Sequence, residues 1–263
     1  MGGMQIAEHL DALDRDGALL ADAAEAAGLT AHVLACPGWQ VRDLVRHQAY
    51  VHGWAARHVR DRVPEIIDEA TEADILDGAP PDAELIAAYR AGHAALVRTL
   101  RGAAPDVACA TFMPAPSPLA FWARRQAHET AIHRYDAQSA GPAGPPGPAG
   151  AFAPVFAADG IDEVIMGFTP RIRRLRGGTW SLAVRPTDDQ GRWHVRPGPG
   201  RTEVARTDAA ADCVLSGPAS GLYVFLWNRC SAQDAGVEVA GDASVLTTWN
   251  SAARVKWLAP PFP

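Results

Sequence analysis

A Gly- and Pro-rich segment, GPAGPPGPAG, interrupts the chain at Gly141–Gly150. Gly recurs there at every third position, but three triplets are too few for a collagen helix, and the composition instead predicts a semi-rigid connector. The periodicity of the apolar residues differs on its two sides, and a chain of 263 residues is long enough for two domains. We therefore expect one domain at residues 1–140, a linker at 141–151 and a second domain at 152–263.

The half before the linker has the periodicity of amphipathic helices. Apolar residues such as Leu85 and Tyr89 recur one helical turn apart. Helix starts are indicated at Asp82, which follows two prolines, and at Ser117, a good N-cap residue before Pro118. The pattern predicts an antiparallel four-helix bundle with helices near residues 4–27, 39–61, 82–102 and 117–139.

The half after the linker has the shorter period of β-strands. The segments TWSLAVRP (Thr179–Pro186) and GRWHVRP (Gly191–Pro197) alternate between apolar and polar residues, and the residues between them suit a β-hairpin. CVLSG and GVEVAGD predict further short strands, and LYVFLWNR and DASVLTTWNSA predict helices. We therefore expect the second domain to be a small α/β domain.

The composition limits the classes of function. An apolar share of 48% is typical of a folded globular protein, and a net charge of −6 without a basic stripe argues against nucleic-acid binding. The amino terminus is acidic and amphipathic, unlike a secretory signal, and no apolar run is as long as a membrane span. We expect a cytoplasmic monomer or weak dimer with no membrane partner. The cysteines contain no C-x-x-C pair and are expected to be buried small apolar residues: Cys36, Cys109, Cys213 and Cys230.

The segment AHETAIHRYDA, Ala127–Ala137, differs from the H-E-x-x-H box of zinc proteases, because His128 and His133 are five residues apart. On a helix, residues four apart lie on the same side, whereas residues five apart are rotated away from each other. Glu129 and His133 can therefore bind one ion, and His128 and His133 cannot do so easily.

A further ligand is expected on another helix, because helical bundles build metal sites from facing helices. The second predicted helix contains His47 and His52. His47 continues the apolar stripe of that helix towards the core, whereas His52, five residues further, faces elsewhere. His47, Glu129 and His133 would form a donor set of two nitrogens and one oxygen with an open position, which is typical of a catalytic divalent-metal site such as zinc.

The same residues also fit structural roles. A single His on an apolar face is commonly a hydrogen-bonded core residue, and Glu129 could pair with Arg125, four residues earlier, across a solvated helix surface. Arg125 and Arg134 are expected to be surface charges. The pattern alone leaves the metal site and these structural roles open.

Two motifs resemble a known family. WQVRDLVRH, Trp39–His47, followed later by RRQAHETAIHRYDA, is similar to the N-terminal domain of the mycothiol-dependent maleylpyruvate isomerase family, a branch of the DinB-like metal-binding four-helix bundles. DGIDEVIMGFTPR, ADCVLSGPASGLYVFLWNR and VEVAGDASVLTTWNSA resemble that family's C-terminal domain, which is similar to sterol carrier protein 2. The resemblance implies metal ligation by His47, Glu129 and His133.

The resemblance also implies a chemistry. In this family the open position of a divalent metal, with zinc as the expected ion, is taken by the sulfur of mycothiol, a low-molecular-weight thiol. A free thiol of pKa about 8.5 is mostly protonated at neutral pH, and coordination deprotonates it. The thiolate can then add to a small electrophilic substrate, which leads to cis/trans isomerisation or to S-transfer. The metal ligands do not choose between these outcomes, and the family's substrate does not carry over to this chain.

Two further residues are candidates for catalytic roles. Asp136 matches the family's H-R-x-D motif and could orient a ligand imidazole or move a proton, or it could be an ordinary exposed acid at a helix end. Arg229, in LWNR, could bind a carboxylate of the substrate or the thiol through its planar fork, or it could interact with its own helix terminus.

Two other functions are kept as alternatives. A chain with a lipid-carrier-like domain could be a non-catalytic, metal-braced protein that binds small molecules or lipids. The count of three good ligands argues against it, because structural zinc sites usually have four and catalytic sites leave one position open. Hydrolysis by a metal-bound hydroxide is the third hypothesis, but no residue is well placed as its general base.

Overall fold

The computed structural model describes residues 3–67 and 78–252. These residues form two compact units, which divide between Pro146 and Gly147 within the Gly- and Pro-rich segment. The end of the second predicted domain, residues 253–263, lies outside the described residues. The predicted domain limits themselves stay a prediction.

The first unit is a four-helix bundle, as predicted. Its helices are α1 (Ile6–Ala27), α2 (Val41–Arg60), α3 (Asp82–Gly102) and α4 (Pro118–Ala140). α4 begins where the sequence indicates, because the Ser117 hydroxyl accepts a hydrogen bond from the Ala120 N–H at 3.2 Å and Pro118 follows it. The apolar stripes of the helices form a core that includes the buried side chains Leu13, Leu20, Leu44, Leu85, Leu96 and Trp122.

The helices of the bundle surround a common core. α1 packs against α3 and α4, and α2 packs against the same two helices. α2 and α4 run antiparallel. His47 in the first half of α2 meets Glu129 of α4, and His58 near the end of α2 stacks on Trp122 near the start of α4, with 4.8 Å between ring centroids. Side chains of α2 and α4 therefore face each other in the core, which is where a bundle can build a metal site.

The second unit is built around a mixed five-stranded sheet. Its strands are β1 (Leu182–Pro186), β2 (Trp193–Pro197), β3 (Thr202–Ala205), β4 (Cys213–Gly217) and β5 (Glu238–Gly241). Their order in the sheet is β3-β2-β1-β4-β5. The β1–β2 hairpin is confirmed, with Ala183 opposite His194, and β1 pairs in parallel with β4. The small α/β class of this half is thus confirmed. The helices are α5 (Pro154–Asp162), α6 (Ala219–Leu226) and α7 (Ser244–Ala252).

The sequence pattern does not predict two of these elements. α5, which continues into a π-helical turn at Glu163–Phe168, has mostly apolar and small residues and so lacks a clear polar face. β3 has four residues and lies at the edge of the sheet, so its alternation is too short to recognise. None of the helices in the described parts of the chain has the length and apolar character needed to span a membrane.

Candidate metal centre

Three buried side chains meet between α2 and α4. Nε2 of His47 lies 3.2 Å from Oε1 of Glu129, and Nε2 of His133 lies 3.3 Å from the same oxygen. The three donor atoms all lie within 4.8 Å of one another. Donors about 2.0–2.2 Å from a tetrahedral zinc ion are about 3.3–3.6 Å apart, so the two Nε2–Oε1 distances fit one divalent ion.

Local structure explains how each residue reaches this position. Glu129 and His133 are one turn apart on α4 and therefore lie on the same side, as the sequence spacing predicts. His47 lies on the buried face of α2, and the ring of the buried Trp39 packs against its imidazole with 5.2 Å between centroids. This contact limits the orientations that the His47 imidazole can adopt.

Asp136 determines which nitrogen of His133 carries a proton. Nδ1 of His133 lies 2.9 Å from Oδ2 of Asp136, and because a carboxylate only accepts, Nδ1–H is the donor. In the neutral imidazole, Nε2 then directs its lone pair at Oε1 of Glu129. Both atoms carry lone pairs and repel each other unless a proton or a metal cation lies between them. These atoms are therefore suited to binding a cation. Asp136 is 1% exposed, which excludes the alternative of an exposed acid at the helix end.

Burial and neighbouring charges set the ionisation of the three residues. Burial lowers the pKa of His47, and its contact with Glu129 offsets only part of this effect. Burial opposes ionisation of Glu129, but Arg125 and the two histidines outweigh it and hold the pKa of that carboxyl well below its usual range. Burial also opposes protonation of His133, yet its hydrogen bonds to Asp136 and Glu129 raise its pKa. At neutral pH, the Glu129 carboxylate is therefore an anionic potential metal ligand, and the His47 imidazole is a neutral one.

Arg125 holds the second oxygen of Glu129. Its Nη2 donates to Oε2 at 2.6 Å, and Nε2 of Gln48 donates to Oε1 at 3.4 Å. The predicted contact between Arg125 and Glu129 exists, but the expectation that it lies on a solvated surface is wrong, because Arg125 is 4% exposed. The same expectation for Arg134 is wrong, since it is 6% exposed and its Nε lies 3.1 Å from Asp16. α4 is buried on most of its sides, which removes the solvated face that both expectations assume.

The other two histidines of the motifs lie outside this donor set. His128 is buried, and its ring makes an edge contact with that of His9 at 6.0 Å between centroids. Nε2 of His52 lies 2.9 Å from Oγ1 of Thr130. The offset of five residues therefore separates His128 from His133 and His52 from His47, as helix geometry predicts.

Arg229 lies in the second unit, just after α6. It is half-buried, and its Nη1 donates a hydrogen bond to the carbonyl of Trp227 at 2.8 Å. This bond matches the alternative in which the guanidinium interacts with its own helix terminus. The carboxylate-binding role of Arg229 stays a prediction.

Sequence reasoning misses the approach of Cys36 to this centre. Its Sγ lies 4.0 Å from Oδ2 of Asp136, which is 100 positions away in the chain. No local spacing rule links a loop residue and a helix residue at such a separation. The expectation of buried cysteines is correct for Cys213 and wrong for Cys36, Cys109 and Cys230, which are only half-buried.

Family models match both halves of the chain. The model described as the mycothiol maleylpyruvate isomerase N-terminal domain matches residues 10–138, and the MDMPI C-terminal domain model matches residues 156–248. A crystal structure of the mycothiol-dependent maleylpyruvate isomerase has a TM-score of 0.64 and 17% identity, with 92% of this chain and 98% of that chain covered. The structure of a histidine-to-alanine mutant gives a TM-score of 0.64, 15% identity and the same coverage. No curated protein sequence matches this chain.

The two family models follow each other in the order N-terminal, then C-terminal, and leave only short segments unmatched. The solved structures independently show the same fold over nearly the whole length. The chain therefore belongs to the mycothiol-dependent maleylpyruvate isomerase family of enzymes.

Proposed function

We propose that the chain is a mycothiol-dependent isomerase or S-transferase in which His47, Glu129 and His133 hold a divalent cation, with zinc as the preferred ion. The observation that carries this proposal is the approach of two imidazole Nε2 atoms, from different helices, to one oxygen of a buried carboxylate. Two nitrogens and one oxygen suit zinc, and three protein donors are typical of catalytic sites that keep a position for a further ligand.

The side chains around the donors keep them in a binding geometry. A divalent cation held there would bind the thiol of mycothiol as the thiolate, which is the nucleophilic form. Asp136 holds the proton of His133 on Nδ1, so that the lone pair of Nε2 is available to bind the cation. Arg125 holds Oε2 of Glu129, so that Oε1 faces the two histidines. Burial of these groups strengthens their electrostatic interactions.

The thiolate supports two outcomes. When it adds to one carbon of a cis double bond conjugated to a carbonyl group, the double bond becomes a single bond and an electron pair moves to the carbonyl oxygen. Rotation about that bond and expulsion of the thiolate restore the double bond in its trans form, which is isomerisation. Protonation of the adduct instead keeps the carbon–sulfur bond, which is S-transfer.

Small unsaturated acids are the substrate class to test first. The similar solved enzyme is named for maleylpyruvate, and we propose compounds of this chemistry as substrates here. Arg229 is the candidate for binding a substrate carboxylate, because a guanidinium can donate two parallel hydrogen bonds to it. We expect Arg229→Ala to raise KM for carboxylates more than for quinones or epoxides.

A thiol-dependent turnover assay on the zinc-loaded protein tests the proposal. Maleylpyruvate, other small unsaturated acids, quinones and epoxides are offered with and without mycothiol, and NMR distinguishes a trans isomer from a thiol adduct. We expect turnover to require both mycothiol and metal, to be lost in His133→Ala and to persist in His128→Ala. The proposal is wrong if the zinc-loaded protein converts none of these compounds or if removal of the metal leaves turnover unchanged. The lipid-binding alternative instead predicts uptake of apolar ligands by the second domain regardless of metal.

A further inference from the structure

A second group of donor atoms adjoins the first at His133. Cys36, Asp136 and His133 each place one potential ligand atom within 4.8 Å of those of the other two. Sγ is 4.0 Å from Oδ2, and Oδ2 is 2.9 Å from Nδ1. Nε2 of the same imidazole lies 3.3 Å from Glu129. The two ring nitrogens of His133 therefore belong to two different groups of donors.

Backbone hydrogen bonds hold Cys36 in place. Its N–H donates to the carbonyl of Val33 at 3.0 Å, and its carbonyl accepts from the N–H of Trp39 at 2.9 Å. The N–H of Val33 donates to the carbonyl of Trp39 at 2.9 Å, which closes the loop. Gly38 has a φ of 89°, a left-handed conformation that favours glycine. The loop thus presents Sγ from a fixed backbone, as a preorganised metal site requires.

The chemistry of the group suits a thiophilic cation. A thiolate, an imidazole nitrogen and a carboxylate oxygen are ligands of zinc, cobalt and cadmium, whereas magnesium and calcium prefer oxygen alone. Donors about 2.0–2.3 Å from a tetrahedral ion are about 3.3–3.8 Å apart, so shifts of up to about 1 Å would complete the geometry. Asp136 and His133 are buried, and Cys36 is half-buried.

We propose that Cys36, Asp136 and His133 form a second metal site, for a thiophilic divalent cation, and that this site and the first can be occupied at the same time. His133 then bridges the two cations through its two ring nitrogens. Binding displaces the thiol proton of Cys36 and the Nδ1 proton of His133, and both protons pass to solvent. The thiolate, the imidazolate and the carboxylates of Asp136 and Glu129 supply four negative charges, which offset most of the positive charge of two divalent ions and of Arg125 beside Glu129. The proposal rests on the proposed function only for the first ion, and it needs no thiol cosubstrate.

Cobalt(II) titration of the metal-stripped full-length protein, without added thiol, tests this second site. We expect two ions per chain and a thiolate-to-cobalt charge-transfer band that grows with the second equivalent. Cys36→Ser replaces the sulfur by oxygen at a half-buried position and should bind one ion without the band. His47→Ala should weaken the first site and keep the band, so that failure of the first site is seen separately.

Two results would overturn the second site. One is a wild-type protein that binds one cobalt(II) per chain and has no thiolate band. The other is an equal band in Cys36→Ser, because the sulfur would then come from another cysteine. If Cys36→Ser does not fold, as judged by circular dichroism, Cys36→Ala replaces it, and X-ray absorption of the wild type should count one sulfur for every two cobalt ions. The band is measured without mycothiol, so it reports on the second site alone. The second-site proposal and the proposed mycothiol-dependent function can therefore fail independently of each other.

Discussion

Nε2 of His47 lies 3.2 Å from Oε1 of Glu129, although the two residues are 82 positions apart in the chain. The antiparallel course of α2 and α4 brings them together in the core. His133 approaches the same oxygen from the next turn of α4, at 3.3 Å. One carboxylate oxygen thus connects donors from two helices, and the proposed metal chemistry depends on this convergence.

Removal of any one of these three donors should release the metal. We expect His47→Ala, Glu129→Gln and His133→Ala each to weaken zinc binding by more than about 100-fold, beyond the effect typical of residues that only orient ligands. His128→Ala is the matched control, because it removes a neighbouring buried imidazole outside the donor set. Zinc content after dialysis is measured in the Cys36→Ser background, so that an ion at the second proposed site does not contribute, and folding is checked by circular dichroism. Full retention of zinc by His47→Ala would refute the three-residue site.

Asp136→Asn should weaken the same site less severely. The amide cannot hold the Nδ1 proton of His133 as a carboxylate does, so the imidazole loses its fixed tautomer and some of its basicity. We expect zinc affinity to fall about 10–100-fold, as is usual when the partner of a ligand imidazole is removed. Competition with a chromophoric chelator measures the affinity, and Asp61→Asn, at an exposed acid, is the control. Equal affinities of Asp136→Asn and the wild type would exclude the orienting role.

The first unit should lose stability in mild acid. Burial, with a further contribution from His93, holds the pKa of His52 well below its ordinary value of 6.5. The unfolded chain therefore takes up a proton near pH 6.5 that the folded state binds only at lower pH. Above this pH, His52 contributes its full share to the free energy of unfolding. As the pH decreases further, that contribution decreases by up to about 1.4 kcal/mol per pH unit.

Urea unfolding of the metal-stripped protein, between about pH 7.5 and about pH 5, measures this dependence without interference from metal release. His52→Asn keeps a polar side chain near Thr130 but cannot titrate in this range. We expect it to be less stable at neutral pH and to have a shallower pH dependence than the wild type. Parallel pH dependences of the two proteins would show that another group carries the effect.

The first proteolytic cut should fall between Ala140 and Pro154. α4 ends at Ala140 and α5 begins at Pro154, and the intervening Gly- and Pro-rich chain has little backbone pairing to protect it. Subtilisin is the suitable protease, because residues 141–153 contain no Lys or Arg for trypsin. Mass spectrometry should identify two stable fragments close to the predicted domains, 1–140 and 152–263. A first cut inside α3 would contradict this division.

Local features of the sequence predict the helices of the first unit to within two residues at each end. The capping residue Ser117 and the apolar stripes are visible without tertiary contacts. The spacing of four residues on a helix likewise selects Glu129 and His133 as candidate ligands of one ion, without knowledge of tertiary contacts. The apolar stripe of α2 selects His47, because a stripe that packs inwards carries its polar members into the core.

Tertiary contacts decide what the sequence does not predict. Arg125 is four residues before Glu129, so spacing predicts their contact, but the burial of that face of α4 depends on the surrounding helices. The sequence does not decide whether Asp136 is an exposed acid or a partner of His133, because the burial of Asp136 also depends on the surrounding helices. Cys36 reaches Asp136 through the path of a loop, which no periodicity encodes. The short strand β3 is defined by its partner β2 and not by its own residues.

Titration of the cobalt(II)-loaded Cys36→Ser protein with mycothiol tests the central claim most directly. The variant removes the cysteine sulfur that lies 4.0 Å from Asp136, so a thiolate-to-cobalt band that appears only on addition of mycothiol is assigned to mycothiol. We expect the band to saturate at one mycothiol per cobalt, with release of about one proton per site near neutral pH. S-methylated mycothiol and the His133→Ala protein should both give no band. If cobalt is bound and mycothiol causes neither a band nor proton release, the isomerase and S-transferase proposals are both wrong.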